Sequence, residues 1–371
     1  MKFIHLSDLH IGKRVNEFSM IEDQKYIFEE ILRIIGEQSA DAVIIAGDVY
    51  DRTIPSAEAV QLFDEFLTAL AKKRLEVFII SGNHDSAERI AFGADLLNIC
   101  GVHVSPVFDG TCMPVTVKDE FGEIDIYLMP FLKPAQVRRY FPDAEIESYN
   151  DAVKAVIDAL EIDGKRRNLL VAHQFVTGAE TAGSEELTIG GLDNINVEVF
   201  QDFDYVALGH IHRFQYVKRE TVRYAGTPLK YSFSESAHKK NVTVVDMQQK
   251  GKIDLSFLPL LPLRDLREIK GSFAEIMQGE KSEDYLHITL TDEEEIPDIL
   301  SKIRILYPNV MKLDYDNART RAMSHIDCAE AVESRTEIDL FAELYQKQNG
   351  RPMSSEQYDF MLSIIEDLKE V

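Results

Sequence analysis

From its first residues the chain alternates short, wholly apolar runs with stretches of helical spacing. Runs rich in β-branched and aromatic residues at Lys2–Leu6, Ala42–Ala46, Val77–Ile80, Ile124–Met129, Leu169–Ala172, Tyr205–Leu208, Val222–Tyr224, Val242–Asp246 and Leu255–Leu258 predict strands. Residues 21–38 carry Ile27, Ile31, Ile34 and Ile35 at helical spacing, and 57–73 carry Val60, Phe63, Leu67 and Leu70. A third helix is expected to follow Ser86 and run to Asn98. Early α/β alternation followed by strand-rich sequence places the chain in the α/β class, with two sheets packed together and helices outside.

The run Leu258-Pro259-Leu260-Leu261-Pro262-Leu263 has two prolines and reads as the exit from the last strand into a linker. Beyond it, Tyr285–Leu290, a helix over about 294–306 and Val310–Tyr315 predict a small β-α-β unit. Helical stretches over about 336–348 and 354–370 follow, separated by Asn349-Gly350-Arg351-Pro352, with Ser354 or Ser355 as N-cap. Three regions result: a main domain over 1–262, a small α+β capping domain over 263–333 and a helical tail over 334–371.

Five of the strands end in a packet of polar chemistry. The first runs into Asp8-Leu9-His10 and the second into Gly47-Asp48-Val49-Tyr50-Asp51; later ones run into Gly82-Asn83-His84-Asp85, His173 and Gly209-His210-Ile211-His212. Strands that deliver polar groups to one sheet edge gather sequence-distant side chains into one site. Asp8 and His10 are two apart, but where the chain turns past a strand end both can face one ion. Carboxylate, imidazole and amide donors without a thiolate suit manganese, iron or zinc in a reactive rather than a structural site. Two such ions about 3.5–4 Å apart can clamp a phosphodiester and ionise a water at neutral pH. A pair so close needs a shared anionic ligand, for which Asp48 is the natural candidate. Glycines 47, 82 and 209 allow close backbone approach beside those ligands.

Composition changes this picture little, and charge changes it more. The 371 residues are 45% hydrophobic and 28% charged, as in an ordinary globular protein. No apolar run approaches the roughly 18 residues needed to span a bilayer, so no membrane role is expected. The opening Met1–Asp8 lacks the apolar core of a secretory signal, which points to the cytoplasm. Cys100, Cys112 and Cys328 are odd in number and widely spaced, and are expected to be small buried hydrophobes. The net charge of −24 is awkward for a nucleic-acid enzyme. Half of it lies in residues 265–371, which hold 24 acidic and 12 basic side chains. Bases near the polar packets include Lys13, Arg14, Arg52, Arg89, Arg213, Lys230, Lys239 and Lys240. Net charge therefore argues for help from a partner rather than against DNA.

Asp8-x-His10, Gly47-Asp48, Gly82-Asn83-His84, His173 and Gly209-His210-x-His212, in this order, resemble the complete motif series of the calcineurin-like metallophosphoesterases. The resemblance implies a calcineurin-like two-sheet β-sandwich with a dinuclear metal centre at one end. It implies Asp8, His10, Asp48 and His212 on one divalent ion, and Asp48, Asn83, His173 and His210 on the other. His84 would stabilise or protonate the leaving oxygen, a role suited to an imidazole. Asp51 matches the second acidic residue of the phosphatase-type Gly-Asp-x-x-Asp pattern, which holds that histidine in orientation. Double-strand-break nucleases of archaea and eukaryotes in this family carry a histidine at the equivalent point, so their substrate positioning is not carried over.

A narrower resemblance is to the bacterial nuclease subunits of this family that work with a coiled-coil ATPase. It rests on Leu6–Lys13, Gly47–Asp51, His173-Gln174-Phe175 and, most distinctively, Gly226-Thr227-Pro228-Leu229-Lys230-Tyr231-Ser232-Phe233-Ser234-Glu235. It implies a Mn²⁺-dependent enzyme that cuts DNA as a 3′–5′ exonuclease on double-stranded ends and as a single-strand or hairpin endonuclease. It also implies a homodimer within a heterotetramer, with Ala91, Phe92, Leu96 and Leu97 as a candidate dimer surface. In the tail, Tyr358, Phe360, Met361, Ile364, Ile365 and Leu368 form an apolar stripe that would dock on the ATPase's coiled coil. The chain has no Gly-x-x-x-x-Gly-Lys-Ser/Thr loop of its own. Two other readings compete: a calcineurin-like phosphatase or cyclic-nucleotide phosphodiesterase, suggested by Gly47–Arg52, and a binding scaffold that has lost activity.

Overall fold

The computed structural model describes residues 1–181 and 194–318, together with isolated positions between 320 and 361. The helices expected at 336–348 and 354–370, Cys328 and most of the tail's apolar stripe fall largely outside the described residues. Two compact units divide the chain, Met1–Thr289 with Pro297–Asp314 and Leu290–Ile296 with Tyr315–Val371. Within the second, Asn317 donates its side-chain amide to the Asp292 carbonyl at 3.2 Å.

The first unit is built on two six-stranded sheets. In one, Lys2–Leu6, Ala42–Ala46, Glu76–Ile80 and Val102–Val104 run parallel, and Asn241–Met247 and Ile253–Pro259 extend the sheet antiparallel beyond the first strand. In the other, Gly122–Met129, Arg167–His173, Tyr205–Gly209 and Arg219–Tyr224 run parallel, with Val115–Asp119 and Gln215–Val217 antiparallel at the edges.

Side chains in the central strands alternate between two burial environments, which is why the apolar runs are continuous rather than half polar. Phe3, Ala42, Ile44, Phe78 and Ile80 meet Ile124, Ile126, Leu169, Val171, Tyr205 and Ala207 in the layer between the sheets. Their neighbours Ile4, Val43, Ile45, Val77 and Ile79 face outward beneath the helices Ile21–Gln38 and Ala57–Lys72. On the other side, Leu170, Val206 and Leu208 pack with Val153 and Val156 of the helix Tyr149–Asp158. The result is helix, sheet, sheet, helix.

Three expectations need correction. The single helix from Ser86 to Asn98 is two short pieces, Ala87–Ile90 and Ala94–Asn98. Gly93 between them takes φ +73°, a left-handed conformation that ends a helical run. Cys112 is buried, but Cys100 is exposed. The small β-α-β unit has a third strand, Leu266–Gly271, so its sheet runs in the order Leu266–Gly271, Tyr285–Leu290, Val310–Tyr315, and its helix spans only Ile299–Ile303. That third strand is amphipathic in a charged stretch, Leu-Arg-Glu-Ile-Lys-Gly, with little apolar signal. Leu266 and Tyr285 join the core beneath the helix Ile21–Gln38, so this sheet packs on the larger body as part of the same unit.

Candidate metal centre

The parallel central strands of both sheets end at the same edge of the sandwich, and there the backbone takes up conformations that side chains ordinarily avoid. Asp8 has φ 52°, His10 φ 43°, Asp48 φ 48° and His210 φ 100°. Each such non-glycine residue costs on the order of 1–3 kcal/mol and persists where its surroundings hold it. Here, hydrogen bonds between the loops do the holding. The Asp8 amide donates to the Gly47 carbonyl at 3.1 Å, His10 to Asp48 at 3.0 Å and Ile11 to Val49 at 2.9 Å. From the other sheet, the His210 amide donates to the Asp8 carboxylate at 3.0 Å.

The packing explains two of the glycines directly. A Cβ on Gly209 would lie 1.9 Å from the Ala46 carbonyl oxygen, and one on Gly82 would lie 2.1 Å from Asp48 Oδ1. At Gly82 the backbone comes close to an expected ligand, and at Gly209 it comes close to the Ala46 main chain and to His173, whose Nδ1 an added Cβ would meet at 2.7 Å.

Asp48 is the focus of the side chains. Its Oδ2 lies 3.3 Å from His173 Nε2, 3.7 Å from His10 Nε2 and 3.9 Å from His84 Nε2, while its Oδ1 accepts from the His84 amide at 3.0 Å. On one side, His10 and His212 bring their Nε2 atoms within 3.1 Å, and with Asp8 they form a buried group whose ligand atoms all lie within 4.8 Å of one another. On the other side, Asn83 Oδ1 is 3.0 Å from both His173 Nε2 and His210 Nδ1. His173 Nδ1 donates to the Ala46 carbonyl at 2.8 Å, which in the neutral ring leaves the lone pair on Nε2. All seven residues expected as ligands therefore line one pocket, with Asp8, His10 and His212 in one cluster, Asp8, Asp48 and His173 in an overlapping one, and Asn83 between His173 and His210.

Burial and mutual charge set the electrostatics. Burial holds the His10 imidazole well below its usual range, and His210 falls to about 3 for the same reason, helped by His173. Burial also works against charge on His173, but the adjacent Asp48 carboxylate outweighs it and raises the imidazole to about 9. Asp48 is held well below the usual carboxylate range despite its burial, chiefly by His173. Asp8 is pushed up by burial. Carboxylates and lone-pair nitrogens crowded in a water-poor pocket are a cation-binding donor set, and the absence of thiolate suits a hard or borderline divalent ion. The residues present fit a pair of such ions sharing Asp48.

His84 stands at the rim, half-buried, with its ring edge-on to His10 at 4.9 Å. Its orientation differs from the expectation in one atom. His84 Nδ1 donates to the main-chain carbonyl of Asp51 at 3.1 Å, not to its carboxylate. The Asp51 carboxylate instead pairs with Lys13 at 2.7 Å and faces His10 Nδ1 at 3.7 Å. Loop curvature after Asp48 turns the carbonyl toward His84 and the side chain toward the first strand's loop.

Two residues with roles here were missed in the sequence. Asp85, buried, accepts from the amides of Val49 at 3.0 Å, Tyr50 at 2.9 Å and Gly82 at 2.9 Å, locking two ligand loops together. Glu235, fully buried, lies with Oε1 3.9 Å from His212 Nδ1 and pairs with Lys240 at 2.5 Å. Asp85 closes the packet Gly82–Asp85, and Glu235 ends the most distinctive segment, but nothing local in either says where its carboxylate points.

Residues 1–214 match the calcineurin-like phosphoesterase family, and the chain belongs to it. Within that family it is 31% identical over 378 residues to SbcD, the D component of nuclease SbcCD, from Staphylococcus epidermidis, covering 99% of each chain. Residues 262–349 match a family described as the type 5 capsule protein repressor C-terminal domain. Among solved structures, a dimetal phosphatase from Danio rerio is 10% identical with a TM-score of 0.42, covering 70% of this chain and 96% of that one. An archaeal phosphodiesterase is 12% identical with a TM-score of 0.32, covering 70% and 100%.

Proposed function

We propose that this chain is the metal-dependent DNA nuclease subunit of an SbcCD-type complex, hydrolysing phosphodiesters with two divalent ions. The observation that carries the reading is the convergence on one buried pocket of donors from five strand ends in two sheets, with Asp48 beside His10, His84 and His173. Full-length similarity to a nuclease subunit directs it to DNA. Asp8, His10, Asp48 and His212 would hold one ion, and Asp48, Asn83, His173 and His210 the other, with Mn²⁺ as the expected metal. Such a pair supplies Lewis-acid charge and a water that ionises near neutral pH.

The chain's own residues do the rest. His84, its Nδ1–H held by the Asp51 carbonyl, presents Nε2 to the rim of the pocket; as the doubly protonated ring it would give the Nε2 proton to the departing 3′ or 5′ oxygen and be left neutral. Asp51 and His84 thus act as a pair, through main chain rather than carboxylate. Lys13, beside Asp51, and exposed Arg52 place positive charge at the same rim, where a phosphate backbone would pass.

The expected DNA activities are 3′–5′ exonuclease action on double-stranded ends and endonuclease action on single strands and hairpins, in repair and recombination. The partner is a coiled-coil ATPase of the SbcC type, docked on the tail at 334–371, with residues 263–333 as a capping domain beside the 1–262 nuclease domain. A homodimer within the heterotetramer is supported by Phe92, Leu96 and Ile99, exposed by 84%, 72% and 81% in and around the two short helices that follow the His84 loop. Leu97 packs inward on the core instead. The proposed setting is the cytoplasm; no helix among the described residues is long and apolar enough to cross a membrane.

The test is cleavage of single-stranded DNA and of double-stranded ends by the full chain with Mn²⁺, alone and with the ATPase partner, with and without ATP. Cleavage that His84→Gln abolishes is expected. No cleavage in any arm, or a His84→Gln variant equal to wild type, overturns the reading. Turnover of small phosphodiesters but never of DNA would move it to the phosphodiesterases.

A further inference from the structure

The most distinctive segment of the chain, Gly226–Glu235, does not reach the metal pocket with a ligand of its own. It returns behind the pocket, and its polar side chains meet the back of only one of the two ligand groups. Glu235 faces His212 Nδ1, the ring nitrogen turned away from His10. Lys240 pairs with Glu235 and donates to the His212 carbonyl at 3.0 Å and to Thr227 Oγ1 at 2.5 Å. Thr227 in turn donates to Glu235 at 3.3 Å, and its own amide donates to the His212 carbonyl at 3.2 Å. His212 is thus held at its ring and at its main chain by one buried network.

The same segment reaches His10 by a second route. The Tyr231 hydroxyl donates to the Leu9 carbonyl at 2.6 Å, and its ring stands edge-on to the His10 ring at 5.8 Å. Gln24, buried on the helix Ile21–Gln38, donates to the Tyr231 hydroxyl at 2.9 Å and to the His10 carbonyl at 2.8 Å, and accepts from the Gly12 amide at 3.0 Å. The Tyr231 amide donates to Glu235 at 3.3 Å, which joins the two routes.

Among the described residues, nothing comparable from this segment touches the other group. His173 is oriented by the Ala46 carbonyl, Asn83 faces His210, and the ring of Phe131 lies 6.2 Å from the rings of His173 and His210.

We infer that Glu235 and Tyr231 are positioning residues for one ion of the pair, the one expected at Asp8, His10 and His212, and not for the other. A buried carboxylate behind a metal-binding imidazole fixes the ring's tautomer and aim, and loss of such a partner typically costs ten- to a hundredfold in metal affinity. The proposal rests on the two-ion reading above and adds an asymmetry to it: one ion's ligands are braced by a late segment of the chain, the other's by the Ala46 carbonyl, Phe131 and the Asp85-locked loop. Lys230 of the same segment pairs with Asp265 at 2.9 Å, so the brace is also tied to the chain leading into the three-stranded sheet.

The experiment is Mn²⁺ titration of the metal-free full chain by calorimetry, with electron paramagnetic resonance of the loaded protein, for wild type, Glu235→Gln and Tyr231→Phe. Wild type is expected to bind two ions and to show the signal of a coupled Mn²⁺ pair. Each variant is expected to keep one ion at wild-type affinity, bind the other ten- to a hundredfold more weakly, and lose the coupled signal at limiting Mn²⁺. Adding Asn83→Ala to Tyr231→Phe should weaken both. Tyr231→Phe is conservative enough to carry the test if Glu235→Gln leaves Lys240 too poorly paired to fold. Two ions at wild-type affinity in the folded variants, or equal weakening of both, overturns the brace while leaving the two-ion reading standing. A wild type that binds only one ion defeats that reading, and the brace with it.

Discussion

At the scale of single residues, the site shows how much a few atoms decide. The His84 ring meets the buried ligand set edge-on at His10 and at 3.9 Å from Asp48 Oδ2, while its backbone amide holds Asp48, so its imidazole can be changed without dismantling the pocket. His84→Gln should lower the rate constant for cleavage by about a hundredfold to ten-thousandfold, the usual worth of a positioned proton donor. Metal content, measured on the same preparation, should stay at the wild-type value. Asp85 is the opposite case, because it touches no substrate and accepts three buried amides. Asp85→Ala leaves those donors unsatisfied and should lower stability by about 2–4 kcal/mol in urea unfolding of the metal-free protein. The packet Gly82-Asn83-His84-Asp85 was legible as chemistry from residue types alone. The division of labour within it was not, because an aspartate that binds a metal and one that ties two loops look alike in sequence.

At the scale of elements, the long apolar runs announced themselves and the short or charged ones did not. Lys2–Leu6 and Ala42–Ala46 form as read because nearly every residue in them is buried against one layer or the other, so pattern and burial agree. Leu266–Gly271 and Val115–Asp119 are edge strands with polar outer faces, and their alternation is too brief to separate from loop. The helix Tyr149–Asp158 begins at a capping box in which Ser148 and Asp151 satisfy each other's amides. Ser148→Ala should cost about 1 kcal/mol, seen as a lower denaturation midpoint, with cleavage and metal binding unchanged. That helix covers the outer face of the second sheet and approaches the site through Tyr149 against Phe131, without supplying an expected ligand, which is why its loss of stability should not become a loss of chemistry.

At the scale of the whole molecule, the two ends of the sandwich differ in what holds them. The metal end is crowded with like-minded ligands, so removing metal with a chelator should abolish cleavage, and returning Mn²⁺ should restore it and raise the thermal midpoint. The far end is held by Arg167, buried, which grips the Asp119 carboxylate at 2.9 and 2.5 Å and donates to the carbonyls of Met247, Gln248 and Gly122. Burial opposes the Asp119 charge, but the Arg167 hydrogen bonds prevail and hold its carboxyl below the usual range. A carboxyl depressed by folding stabilises above its unfolded value near about 4 and loses that contribution as pH falls through the folded value. Wild type should therefore exceed Asp119→Asn in urea midpoint at pH 7, with the gap narrowing below about pH 4. By itself the sequence determined which residues could ligate, because donor type and the rhythm of strand and packet are local properties. It also determined the two-layered sheet core, because continuous apolar runs can be buried only on both faces. Only the tertiary structure decided which atom of Asp51 meets His84, that Glu235 and Tyr231 stand behind one ligand group, and that Arg167 closes the opposite end. Those contacts join residues tens to hundreds of positions apart through directional hydrogen bonds, and direction across such separations exists only once the chain is folded.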